Sequence, residues 1–262
     1  MMKLFDSHCH LDDRSYKNDL DKVLHNARQA GVEKIMVVGI TQKSCRLAVE
    51  LSKKNPEIYV SVGIHPHDVK DCTEEVLNSL KKLAQNKKVK AWGEIGLDFN
   101  RMFSPRALQE KWFIRQLELA DELGFPLIFH ERDSKGRFFE ILKDNFKPGA
   151  KGVVHCFSGN RRELSNYLSL GLYIGITGIV TIEKRGENLR KMVIGIPSDK
   201  LLIETDAPYL TPAPQKNHTK RNEPAFVKSV LMKIAEIRGE DPDELASVIW
   251  DNTHRVYGIS DS

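Results

Sequence analysis

A chain of 262 residues, 40% apolar and 29% charged, is the size of one α/β barrel and has the make-up of an ordinary globular protein. Its net charge of +4 permits a phosphate-bearing partner without demanding one, and no apolar run approaches the roughly 20 residues that span a bilayer. The N-terminus (Met1-Met2-Lys3-Leu4-Phe5-Asp6) has no apolar signal region, and Cys9, Cys45, Cys72 and Cys156 form no C-x-x-C pair. These features point to a cytoplasmic protein with reduced thiols and away from a zinc ribbon.

In chain order, the first predicted element is a strand over residues 3–8, closed by His8-Cys9-His10. A helix over 19–30 follows and stops at Gly31, then a strand over 34–39, a helix over 43–54 and a strand over 59–64. Thr73 followed by Glu74 and Glu75 opens a helix over 73–85, ahead of a strand over 91–97. Ser104 as cap and Pro105 at the first helical position open a helix over 105–123, with Gly124 as its stop. Strands over 127–130 and 152–157, a helix over 161–170 ended by Gly171, and strands over 173–177 and 201–205 come next. Asp241-Pro242 opens a last helix towards Tyr257.

Most of these strands are apolar on both faces, as in a sheet surrounded by helices. Eight strands, most of them followed by a helix, predict a (β/α)8 TIM barrel, with an open doubly wound sheet as runner-up. No linker or composition shift divides the chain, so one domain over 1–262 is expected.

The polar residues at the strand ends carry the chemistry. His8 and His10 close strand 1, Glu94 lies near the end of strand 4, His130 ends strand 5, His155 lies towards the end of strand 6 and Asp206 ends strand 8. In a barrel these ends meet at the face where active sites are built. His8 and His10, two apart in an extended strand, point the same way. Four imidazoles and two carboxylates fit two cations better than one. Glu94 is the natural bridge, with His8, His10 and Asp206 on one ion and His130 and His155 on the other. Imidazoles suit zinc, iron or nickel, and carboxylates suit magnesium or manganese. Two such ions would clamp a phosphoryl group and activate water.

Further residues surround this set. His65, in Gly63-Ile64-His65-Pro66-His67, is a candidate to bind a phosphate oxygen or donate a proton. Glu204 shares a face with Asp206 and is expected to orient a histidine or accept a proton. Arg132 and Ser158 are candidate substrate contacts. Lys216, His218, Lys220 and Arg221 form a basic run that reads either as a contact to a nucleic-acid backbone or as solvated surface. His25 and His254 fall on helical patterns and read as surface residues.

Together these motifs resemble the TatD family of metal-dependent deoxyribonucleases, within the amidohydrolase-like barrels. The matching segments run nearly end to end: Phe5-Asp6-Ser7-His8-Cys9-His10-Leu11, the segment at His65, Gly93-Glu94-Ile95-Gly96-Leu97-Asp98, His130-Glu131-Arg132-Asp133, His155-Cys156-Phe157-Ser158-Gly159, Glu204-Thr205-Asp206-Ala207-Pro208-Tyr209-Leu210 and Lys220-Arg221-Asn222-Glu223-Pro224. The resemblance implies magnesium- or manganese-dependent phosphodiester hydrolysis by a two-metal activated water, as an exonuclease on single-stranded DNA ends. Catalysis would involve Asp206, Glu94, Glu204 and His65. One departure is Phe99-Asn100-Arg101, where the family commonly has a tyrosine-rich run. Some similar proteins act on D-aminoacyl-tRNA, so ester or amide hydrolysis on the same site, with tRNA as partner, is the alternative. A non-catalytic nucleic-acid-binding barrel is the third reading, disfavoured by the mild charge and the lack of stacking-aromatic motifs.

Overall fold

The computed structural model describes residues 2–260; residues 1, 261 and 262 of the predicted domain lie outside the described part. Eight parallel strands pair in sequence order: β1 (Leu4–Cys9), β2 (Val32–Val38), β3 (Ile58–Val62), β4 (Val89–Asp98), β5 (Leu127–Arg132), β6 (Gly152–Val154), β7 (Tyr173–Ile176) and β8 (Leu201–Ile203). An isolated bridge between Cys9 of β1 and Ala207, four residues past β8, brings the two edges of the sheet together, so the strands form a nearly closed barrel rather than an open sheet.

The outer helices are α1 (Leu20–Gln29), α2 (Gln42–Lys54), α3 (Glu74–Leu83), α4 (Arg106–Leu123), α5 (Arg137–Asn145), α6 (Arg161–Ser169), α7 (Glu187–Val193), α8 (Val227–Arg238) and α9 (Pro242–Tyr257). Of these, α5, α7 and α8 were not expected from the sequence. Side-chain caps start several of them. Thr73 accepts the Val76 N–H, Asn160 forms a reciprocal box with Glu163, and Asp241 accepts from Asp243 and Glu244. Gly31, Gly124 and Gly171 all take left-handed φ, as predicted. Ser104 does not cap α4; its Oγ donates instead to the His67 carbonyl at 2.8 Å, tying two loops at the C-terminal face.

The buried apolar residues divide into two clusters. The larger fills the space between sheet and helices. The smaller lies inside the barrel, where Phe5, Met36, Ile128 and Leu202 meet Trp250 and Tyr257 of α9, so the N-terminal end is plugged by rings. His254, expected on the surface, is half-buried against this plug, whereas His25 is exposed.

The seam between β1 and β8 is held mainly by specific polar contacts. Asp6 accepts the Thr205 N–H (2.8 Å) and Oγ1–H (2.6 Å), and Ser7 Oγ donates to the Ile203 carbonyl (2.9 Å). Beyond them Asp206 N–H donates to the His8 carbonyl (2.9 Å) and His10 N–H to the Ala207 carbonyl (2.7 Å). Burial pushes the Asp6 carboxyl up to about 8, although Thr205 works against the shift.

Candidate metal centre

The C-terminal face gathers all six predicted ligands. His8 Nε2 and His10 Nε2 lie 3.3 Å apart. Glu94 Oε2 is 3.4 Å from His8 Nε2, and Asp206 Oδ1 is 3.4 Å from His10 Nε2. The other oxygen of Glu94 faces the opposite way. Oε1 lies 2.8 Å from His130 Nδ1 and 3.8 Å from His155 Nε2. Glu94 thus divides the set into two groups, and convergent ligand atoms of both, His8-His10-Glu94 and Glu94-His130-His155, are close enough to hold a cation. Four ligands about 2.0–2.1 Å from one tetrahedral ion would be roughly 3.3 Å apart, near several of these spacings.

The far nitrogens of the rings strengthen that fit. His10 Nδ1–H donates to the Val38 carbonyl at 2.9 Å, and His155 Nδ1 lies 2.8 Å from Glu204 Oε1. His130 Nε2 is 3.2 Å from Asp98 Oδ2. With the far nitrogens of His10 and His130 serving as donors, the electron pairs on His10 Nε2 and His130 Nδ1 face the carboxylates of Glu94 and Asp206. Electron pairs facing carboxylates in a buried site need positive charge between them, as protons or as metal ions. Without metal, protons serve. Burial lowers the affinity of His10 and His130 for a proton, but their carboxylate partners more than reverse this and raise both to about 9. Burial pushes Glu94 up, yet His65, His155 and His130 hold it well below the carboxylate range. Asp206 is likewise lowered, burial opposing and His10 and His155 prevailing.

Several strand-end expectations need correction. Glu94 is not near the end of its strand. β4 runs on to Asp98, with a cis Gly93–Glu94 peptide and a register shift between Gly93 and Ile95. β5 likewise continues past His130 to Arg132. His155 lies just past β6, where Cys156 at φ +48° turns the chain. Asp206 lies past β8 at φ +57°, a left-handed conformation that aspartate tolerates. Glu204 and Asp206 therefore both lie past β8 and reach the site without the strand alternation expected of them. Asp206 Oδ1 meets His10 and also lies 3.8 Å from His155 Nε2, whereas Glu204 approaches Nδ1 of that same ring and accepts the Cys156 N–H at 2.5 Å. Gly175 must be bare for this, since a Cβ there would run into the Glu204 carboxylate.

His65 stands at the rim of the second group. Its Nδ1 accepts the His67 N–H at 3.1 Å, so Nε2 carries the proton, 3.4 Å from Glu94 Oε1. Burial depresses this imidazole to about 4, so it is a neutral N–H donor at physiological pH. Arg132 and Ser158 are exposed and line one cleft of about 540 Å³ beside β5 and the β6 loop, together with Asn160 and Arg161. The basic run is split. Lys216, His218 and Lys220 are exposed, but Arg221 grips Asp19 at 2.6 Å and lies over the Tyr16 ring, a structural clamp. Two residues escaped the sequence reading. Asp98 Oδ2 links His130 to His67 Nε2 (2.6 Å), and Asp6 staples the barrel seam. Both stood inside quoted motifs, where an acid two to four residues from a ligand was the available signal.

Among the described residues no helix is long and apolar enough to cross a membrane, and all four cysteines are free.

The family model described as TatD related DNase matches residues 5–258. A protein of Rahnella sp. (strain Y9602) named 3'-5' ssDNA/RNA exonuclease TatD is 41% identical over 260 residues, covering 98% of this chain and 99% of that one. A Bacillus subtilis (strain 168) protein named uncharacterized metal-dependent hydrolase YabD is 38% identical, covering 98% and 100%. The crystal structure of a TatD homolog from Escherichia coli K12, YJJV, superposes with a TM-score of 0.90 at 29% identity, covering 99% of both chains.

Proposed function

Because the chain belongs to the TatD related DNase family, we propose that it is a metal-dependent exonuclease that hydrolyses phosphodiester bonds at single-stranded nucleic-acid ends, DNA first. The observation that carries this reading is the division of six ligands into two groups by the two oxygens of Glu94. Relatives 38–41% identical over nearly the whole chain and named 3'-5' ssDNA/RNA exonucleases support the substrate class and the polarity. His8, His10, Glu94 and Asp206 would hold one divalent cation, and Glu94, His130 and His155 the other. Magnesium or manganese would bind the carboxylates, and zinc, iron or nickel would also suit the imidazoles. Bound there, the ions would neutralise charge on the phosphoryl oxygens and lower the pKa of the attacking water.

The protein's own groups do the rest. Asp206, a carboxylate held below its ordinary range even before any cation is bound, accepts the proton of the attacking water. His65, neutral and protonated on Nε2, donates a hydrogen bond to a non-bridging phosphate oxygen. Glu204 and Asp98 fix the rings of His155 and His130 so that the ligand nitrogens face inward. Arg132 and Ser158 contact a neighbouring phosphate in their shared cleft. The free cysteines support a reducing, cytoplasmic setting.

Metal-reconstituted protein assayed on 5'- and 3'-labelled single-stranded DNA tests the proposal. Progressive shortening from the 3' end that stops with chelator and is abolished in a folded Asp206→Ala variant is the expected result. Intact DNA, at enzyme concentrations that deacylate D-aminoacyl-tRNA, would replace this reading with ester hydrolysis on the same site.

A further inference from the structure

Large apolar side chains that stand exposed are mostly aliphatic and lie on outer helices, as Leu47 does on α2 and Met232 on α8. Scattered singly, such residues need no explanation. Two exposed rings are different. Phe103 and Tyr209 are 55% and 54% exposed, and both sit on loops at the C-terminal face. Each touches an imidazole of the candidate site. Phe103 meets His67 with ring centroids 4.9 Å apart at 78°, and Tyr209 meets His10 at 6.1 Å and 63°. Neither ring lies flat on its histidine, so ring surface remains open. They also flank the centre. His10 belongs to the group facing Glu94 Oε2, whereas His67 joins through Asp98 to His130 on the Oε1 side.

The backbone that displays these rings is fixed. Before Phe103, the N–H groups of Asn100 and Arg101 both donate to Asp98 Oδ1, at 3.0 and 2.8 Å. After it, Ser104 is fully buried and bonded to His67 and Lys70. Tyr209 donates its N–H to the Asp206 carbonyl at 2.8 Å, and its own carbonyl accepts from Asn222 Nδ2 at 2.6 Å. Left-handed residues, Met102 and Leu210, stand next to each ring. Both rings are thus held out beside the site by anchored loops, the arrangement that lowers the ordering cost of binding.

We propose that Phe103 and Tyr209 are base-stacking platforms, one for the nucleotide on each side of the scissile phosphodiester. The inference rests on the nuclease reading above and adds the residues that select single strands. Every base has a π-face, so stacking on aromatic rings tolerates any sequence. Within a duplex those faces are covered by neighbouring base pairs, and a paired end cannot engage both rings without unstacking.

A cycle between ring and base tests this. Phe103→Ala, Tyr209→Ala and Phe103→Trp are assayed on short single-stranded oligonucleotides whose terminal or penultimate nucleotide is either intact or a stable abasic spacer. On intact substrate each alanine variant is expected to raise KM about tenfold, with Trp at 103 retaining wild-type behaviour. On the oligonucleotide lacking the matching base, the ring deletion is expected to cost little more. Quenching of 2-aminopurine at that nucleotide, followed in chelator so that no turnover occurs, is expected to weaken in the same variants. Equal losses on intact and abasic substrates, or no loss at all, overturn the stacking role while leaving the nuclease reading standing. A wild-type protein that cuts no single-stranded oligonucleotide with magnesium or manganese overturns the nuclease reading and this inference with it.

Discussion

The two ends of the barrel both bury imidazoles among rings, yet they do opposite things with them. At the N-terminal end, His254 packs 5.8 Å from Phe5 and 4.5 Å from Trp250, and its Nδ1–H donates to the Trp250 carbonyl at 2.8 Å. Its Nε2 electron pair then meets the Lys34 ammonium at 2.7 Å. At the C-terminal end, His10 is tied in the same way through Nδ1, to the Val38 carbonyl at 2.9 Å. Its Nε2 faces the carboxylates of Glu94 and Asp206 instead of an ammonium. An imidazole with one nitrogen tied is therefore common to both ends. What separates a plug from a candidate metal centre is the sign of the charge that the other nitrogen faces.

The largest expected effect breaks the C-terminal end alone. Glu94→Ala removes both bridging oxygens and should lower DNA hydrolysis at least about a thousandfold, with a thermal midpoint near wild type. A variant within tenfold of wild type on labelled DNA would show that the carboxylate is not shared. The mirror-image change is Trp250→Ala. It should cost about 3–5 kcal/mol in urea unfolding while leaving the rate per folded molecule near wild type, because the plug lies at the far end from the ligands. A rate that falls with stability intact would couple the two ends.

The charge sign itself can be sharpened by pH. His10 and His130, raised to about 9, are protonated in metal-free protein at neutral pH, whereas Glu94 and Asp206 are already ionised. Filling the centre must expel those protons. The affinity for each cation, which displaces one of these protons, should therefore climb by up to about tenfold per pH unit below 9 and level off above it. Calorimetric titration in buffers of different ionisation enthalpy counts the protons, and none released at pH 7 would contradict the assignment. The smallest effect is expected from Asp98→Asn. The bond to His130 is long at 3.2 Å and an amide oxygen still accepts it, so cation affinity should fall only about tenfold. Metal titration of the variant checks this, and an unchanged affinity would remove Asp98 from the support of the centre.

Much of this architecture was legible in residue pattern. The alternation of apolar runs with capped helical stretches led to eight parallel strands because each strand is buried on both faces, and His8-Cys9-His10 led to a pair of converging imidazoles because period-two geometry continues past the last residue of β1. The same geometry misled beyond β8, where left-handed Asp206 breaks the alternation and the two acids approach opposite nitrogens of His155. Helix α7 was missed because seven residues show barely two turns of periodicity. Asp98 stood four residues from Glu94, but its partner could not be read there because its hydrogen bond to His130 spans two strands. The paired roles of Phe103 and Tyr209 are a matter of display, since a phenylalanine in a loop looks the same in sequence whether its ring is sheltered or held open.

The seam between β1 and β8 has a consequence for when the protein becomes complete. His8 and His10 emerge from the ribosome about two hundred residues before Asp206, and the contacts that bring them together, from Asp6 to Thr205 and from His8 to Asp206, all cross that interval. A nascent chain still short of β8 carries two histidines with no carboxylate from the last strand and no staple to close the ring. Assembly of the six-ligand set is thereby deferred until the residues that follow β8 have been made.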